Sequence, residues 1–138
     1  MQVATGTRMR VLLFEDDRAL SEVLTEFLTG EGIAVVAVAD RAAARRVAAE
    51  GHWDVCIADC SPFSNAQLDS EDRTLFETLA GRAPVILTTG RAWTRDVSPR
   101  DLGVAAILEK PFDLQALLAE LMAARSVAAA SRTQADGS

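Results

Sequence analysis

Four short stretches of this chain place reactive side chains directly after apolar runs. Glu15-Asp16-Asp17 follows Arg10–Phe14, RVLLF. Asp59 follows Val55, Cys56, Ile57 and Ala58. Thr88-Thr89-Gly90 closes the run that begins at Pro84, and Glu109-Lys110-Pro111 closes Val104–Leu108. If the runs are neighbouring strands, their ends gather several carboxylates, hydroxyls and one ammonium at one sheet edge. Carboxylates held together repel, so they stay ionised only with a compensating cation. A hard divalent ion suits oxygen ligands, and magnesium (Mg2+) takes one or two protein carboxylates plus a phosphate oxygen. Lysine adds a point charge that can hold a phosphoryl oxygen, and Thr89 can donate a hydrogen bond to another. Phosphoryl transfer needs little beyond positioning and charge neutralisation. An aspartate can serve as the nucleophile and become an aspartyl phosphate.

The elements that must position these groups alternate. Arg10–Phe14 reads as a first buried strand. Ala19, Leu20, Val23, Leu24, Phe27 and Leu28 recur at helical spacing, which predicts a helix over 18–29 that Gly30 and Gly32 stop. Ile33–Ala39 is the second strand. Asp40 is the expected N-cap of a helix over 41–50 that Gly51 ends. Strand 54–58 is uncharged and suits burial on both faces. Leu68, Leu75, Phe76 and Leu79 predict a third helix, and Pro84–Thr88 a fourth strand. Ser98-Pro99 reads as a cap with proline at the first helical position, giving a short helix at best. Val104–Leu108 is the fifth strand. Asp113 caps a last helix along Leu114, Leu117, Leu118, Leu121 and Met122. Strict strand–helix alternation predicts parallel strands, right-handed crossovers and helices on both faces. Open sheets of this kind carry their chemistry beyond the carboxyl ends of the strands.

A chain of 138 residues is long enough for one domain with a substantial core. Net charge of −6 argues against non-specific nucleic-acid binding, which needs a basic face. No apolar run approaches the length of a membrane span, and MQVATGTRMR lacks the apolar segment of a secretory signal. A cytoplasmic protein is expected. Cys56 and Cys60 read as small buried hydrophobes, since two cysteines and one histidine make a poor zinc set. His52 reads as a turn residue, and Trp53 as a cover on the helix layer rather than a ligand. Trp93 and Phe63 fall in loops near the proposed site. They read equally as partner contacts and as half-buried aromatics.

Glu15-Asp16 after strand one, Asp59 after strand three, Thr89 after strand four and Lys110-Pro111 after strand five resemble the receiver domain of bacterial two-component response regulators. The resemblance covers residues 9–125, with 1–8 as a leader and 126–138 as a flexible tail. It implies an α/β, flavodoxin-like (βα)5 fold with a five-stranded parallel sheet in order 2-1-3-4-5. By this resemblance Asp59 is the phosphoacceptor, and Asp16 ligates Mg2+ directly while Glu15 reaches it through water. Ser61 offers its backbone carbonyl to the metal, Thr89 is the switch hydroxyl and Lys110 contacts the phosphoryl group. Arg91 falls where access of water to that group is tuned, with a surface arginine the even alternative. A bond matching Lys110–Pro111 is often cis in the family. A sensor histidine kinase or histidine phosphotransfer protein is the implied donor. The protein is expected to act through protein–protein contact as a monomer or weak dimer, with no direct nucleic-acid or membrane contact. Beyond catalysing its own phosphorylation and dephosphorylation it is not expected to be an enzyme.

The sequence also departs from the family pattern. After the acceptor it reads Asp59-Cys60-Ser61-Pro62-Phe63-Ser64-Asn65-Ala66-Gln67, with the proline two residues early and the glycine missing. Ile107 stands where receivers carry a switch aromatic, and Gly90 where alanine is commoner. The altered 60–67 loop and Ile107 favour the alternative of a pseudo-receiver, a binding module of the same fold that is not productively phosphorylated, and the complete acid–Thr–Lys set disfavours it. An aspartyl-phosphate phosphatase is disfavoured because Asp59-Cys60-Ser61 is not an Asp-x-Asp motif. A flavin module is disfavoured because no phosphate-cradling loop follows strand one.

Overall fold

A computed structural model describes residues 9–60, 70–90 and 98–137. Its five parallel strands are β1 Arg10–Phe14, β2 Ala34–Val38, β3 Val55–Cys60, β4 Val85–Thr89 and β5 Ala106–Glu109. They lie in the order β2-β1-β3-β4-β5. The helices are α1 Arg18–Gly30, α2 Arg41–Glu50, α3 Ser70–Ala80, α4 Pro99–Leu102 and α5 Leu114–Gly137. The parallel strands are those expected from the alternation, and their flavodoxin-like order is the one the receiver resemblance implies.

The sheet is covered on both faces because its central strands carry consecutive apolar residues, at 11–14, 55–58 and 85–87. Leu12, Phe14, Cys56, Ala58, Val85 and Leu87 pack against Ala44 and Ala48 of α2 and Leu75, Phe76 and Leu79 of α3. Val11, Leu13, Val55, Ile57, Ile86 and Ala106 pack against Leu24 and Leu28 of α1 and Leu117 and Leu121 of α5. Each fully buried leucine of this kind contributes about 1.5–3 kcal/mol relative to exposure. The two sets alternate along every strand, as the two-residue strand period requires.

Caps fix where the helices begin. Asp17 takes an extended conformation, and its Oδ1 accepts from Leu20 N at 3.1 Å. Asp40 caps α2 by accepting from Ala43 N at 2.8 Å. Ser98 opens α4 with a reciprocal capping box to Asp101, and Pro99 follows in the first turn. Gly103, at φ 71°, ends α4 in the left-handed region that glycine enters without steric cost.

Two differences from the sequence reading have simple causes. β3 and β4 run to Cys60 and Thr89, past their apolar residues, because ladder hydrogen bonds belong to the backbone. The last helix continues to Gly137, through the 126–137 stretch read as a tail. Alanine and arginine there are strong helix formers, and no glycine or proline intervenes before Gly137. No described helix is long and apolar enough to cross a membrane.

Candidate functional site

The site lies beyond the carboxyl ends of β1, β3, β4 and β5. Strand alternation explains its composition. Leu13, Ile57, Ile86 and Leu108 belong to the α1/α5 side of the core. Two residues further along each strand, on the same face, come Glu15, Asp59, Thr88 and Lys110. Pairing keeps Glu15, Asp59 and Thr88 level, since Phe14 lies opposite Ala58 and Asp59 opposite Thr88, while Thr88 lies opposite Leu108 and Lys110 follows two positions further on. The ladders run slightly past the strands, with Glu15 N donating to Val38 O at 3.2 Å and Lys110 N to Thr89 O at 2.6 Å. The Lys110–Pro111 peptide bond is cis.

Lys110 is the hub. Its Nζ donates to Glu15 Oε1 at 2.9 Å and to Asp59 Oδ1 at 2.8 Å. Glu15 is 2 % exposed and Asp59 5 %. Charge-assisted bonds of this length are among the stronger hydrogen bonds available. Glu15 uses its second oxygen as well: Oε2 accepts from Asp17 N at 3.0 Å. Asp16 is exposed at the lip of the site.

Charge at this edge is unevenly balanced. Burial pushes the Asp59 carboxyl up to about 6; Lys110 opposes this, while the neighbouring carboxylates of Glu15 and Asp16 add to it. Burial also works against the Lys110 ammonium, but its hydrogen bonds to Asp59 and Glu15 prevail and raise its pKa. Among the described residues, one positive charge therefore serves three acids. Oxygens of Glu15, Asp16 and Asp59 lie within 4.8 Å of one another. An all-carboxylate set fits a hard cation such as Mg2+ and not a soft one. Because both Glu15 oxygens already accept hydrogen bonds, the residues fit best with Asp16 and Asp59 as direct ligands and Glu15 acting through water.

No protein-family model matches the chain. Among curated proteins it is similar to the regulatory protein VirG of Agrobacterium tumefaciens, at 31% identity over 122 residues, 85% of this chain and 43% of VirG. It is 36% identical over 131 residues to the response regulator FleR of Pseudomonas aeruginosa, covering 93% of this chain and 27% of FleR. The chain thus spans less than half the length of these relatives. Among solved structures, the receiver domain of the sensor histidine kinase PA1611 from Pseudomonas aeruginosa superposes with a TM-score of 0.68 at 24% identity. It covers 87% of this chain and 99% of that one, and was solved with a magnesium ion in its active-site cleft.

The chain is a response-regulator receiver domain. Of the site residues proposed for it from sequence, Glu15, Asp16, Asp59 and Lys110 come together at one edge. Thr89 is fully buried at the end of β4, but alternation puts it with Leu87 and Ile107 on the α2/α3 face, opposite to Asp59. Ile107 packs at the edge of that second core, in the place of the family's aromatic. Ser61, Pro62, Phe63, Arg91 and Trp93 lie outside the described residues.

Asp17, adjacent to the acid pair, is the cap of α1. Trp53 is buried at the amino end of β3, with the Arg10 guanidinium 4.8 Å over its ring, and His52 beside it is exposed. Both stand at the opposite edge of the sheet from the acids. Two features went unread in the sequence. One is the Lys110–Glu15 bond, and the other is that Thr88, not Thr89, shares a face with Asp59. Counting strand parity from Leu13, Ile57, Ile86 and Leu108 gives the face of each side chain, while the bond also depends on the order of the strands.

Proposed function

We propose that this receiver accepts a phosphoryl group on Asp59 from the phosphohistidine of a sensor histidine kinase or phosphotransfer protein, and signals by protein–protein contact in the cytoplasm. The observation that carries the reading is the buried Lys110 bridge between Glu15 and Asp59, with Asp16 beside it. A structural ion pair would need one acid, and three around one lysine leave room for a divalent cation and a phosphoryl group. An oxygen of the Asp59 carboxylate attacks phosphorus. The phosphorus–nitrogen bond of the donor breaks, and its electron pair returns to the imidazole. Lys110 follows the transferred group with its ammonium, and Thr89, the last residue of β4, would have to swing from the α2/α3 face around the strand end to offer its hydroxyl to another phosphoryl oxygen. Mg2+, held by Asp16 and Asp59 with Glu15 through water and the Ser61 carbonyl, would neutralise charge on the phosphoryl oxygens. Loss of the group by hydrolysis runs on the same side chains, so the protein turns over only itself.

The pseudo-receiver alternative keeps one observation in its favour: Ile107 cannot couple to Thr89 as an aromatic ring does. Titration with Mg2+, followed by calorimetry, separates the two. Saturable binding that Asp59→Asn and Asp16→Asn each weaken at least tenfold supports the phosphoacceptor reading. No binding, or binding indifferent to both changes, supports the binding module.

A further inference from the structure

Thr88 is 1 % exposed, and its Oγ1 has no hydrogen-bond partner. Trp53 Nε1 is the other buried side-chain polar atom without one among the described residues. A buried, unpaired hydroxyl costs free energy that valine, nearly identical in shape, would avoid. Position makes this cost informative. Lys110 follows β5, yet its ammonium reaches Asp59 on β3 and Glu15 beyond β1. With strand order β1-β3-β4-β5, its stem has to pass over β4. Thr88 is the last β4 residue whose side chain is on that face, directly between Asp59 and Leu108 in the register. Thr89 belongs to the other face, and Gly90 brings no side chain.

Building on the phosphoacceptor reading, we propose that Thr88 is a positioning residue: its hydroxyl accepts a hydrogen bond from the Lys110 ammonium when a phosphoryl group on Asp59 draws that ammonium off Asp59 Oδ1. An ammonium has three protons to place. In the resting state two of them meet Glu15 and Asp59. Transfer changes the second acceptor, and the hydroxyl on β4, the strand the stem crosses to reach Asp59, offers a fixed point at which Lys110 can be held while it changes partner. The unpaired Oγ1 also raises the free energy of the resting state, and the phosphorylated state relieves it. Thr88 touches Lys110 in this scheme and not the phosphorus, so its effect is on the placement of the lysine.

The test compares wild type, Thr88→Val and Thr88→Ser. Two quantities are read: the rate of phosphoryl uptake from acetyl phosphate with Mg2+, and the melting temperature of the unphosphorylated, magnesium-free protein. Thr88→Val should slow uptake at least fivefold while its resting form melts at or above the wild-type temperature. Thr88→Ser, which keeps the hydroxyl, should load within twofold of wild type. Uptake by Thr88→Val at the wild-type rate overturns the inference and leaves the phosphoacceptor reading standing. Equal slowing in both variants overturns it too, since shape rather than the hydroxyl would then be responsible. A wild-type protein that takes up no phosphoryl group, from acetyl phosphate or from a phosphorylated histidine phosphotransfer protein, overturns that reading and this inference with it.

Discussion

Replacing Lys110 with Met keeps most of the aliphatic stem and removes the ammonium. Glu15 and Asp59, 2 % and 5 % exposed, then lose their shared cation. Removing one partner of a buried pair costs about 3–5 kcal/mol when the remaining charge has no escape. Here there is an escape. Asp59 titrates near 6 even with the lysine present, and Lys110 holds that value down. Without Lys110 it moves further up, so at neutral pH the variant can bind a proton instead of burying a bare carboxylate. The cost should therefore be about 2–3 kcal/mol at pH 7.5, a loss of roughly 10 °C in melting temperature for a domain of this size. The sign with pH follows. Asp59 is raised in the folded state above its unfolded value, so its protonation stabilises the fold, and that contribution is lost as pH rises through the folded pKa. The loss is larger in the variant, and the gap between the proteins should narrow to roughly 1 kcal/mol by pH 5. Urea unfolding at pH 5 and 7.5 in metal-free buffer measures it. A gap of equal size at both pH values would refute the electrostatic reasoning and assign the loss to packing.

Two further outcomes follow from the same geometry. Asp59→Asn should stabilise the magnesium-free protein at pH 8. The carboxyl is pushed from 3.8 to about 6, and each unit represents about 1.4 kcal/mol against the ionised form. An amide oxygen still accepts from Lys110, so a gain of about 1–3 kcal/mol that fades toward pH 4 is expected in thermal melts. A less stable Asn variant at pH 8 would contradict the balance of burial over pairing at this site. Asp17→Ala removes the acceptor for Leu20 N at the start of α1. It should cost about 1 kcal/mol in urea unfolding and leave Mg2+ affinity within twofold, because Asp17 is a cap and not a ligand.

Much of this architecture is written in the periodicity of the chain. β1 and α2 have the observed bounds because unambiguous residues close them, Glu15 after the one and Asp40 and Gly51 on either side of the other. The short α4 follows from Ser98-Pro99, whose cap and fixed φ leave few other starts. Polar residues hide strand ends: Asp59, Cys60 and Thr89 take ladder bonds that a hydrophobic pattern does not register. The extension of α5 was hidden for the opposite reason. Its small residues carry helical propensity without an apolar stripe, and only a stripe announces itself. In the site, the convergence of Glu15, Asp16, Asp59 and Lys110 was legible from strand ends alone. The bond from Lys110 to Glu15 and the orphaned hydroxyl of Thr88 were not. They depend on which strands are neighbours and on which face each side chain takes.

The most direct test of the central claim is the intact mass of the protein after incubation with acetyl phosphate, and separately with a phosphorylated histidine phosphotransfer protein, each with and without Mg2+. Gain of one phosphoryl group that requires Mg2+ and is absent in Asp59→Asn is the predicted result. No gain from either donor, or a gain that persists in Asp59→Asn, would contradict the assignment of Asp59 as phosphoacceptor.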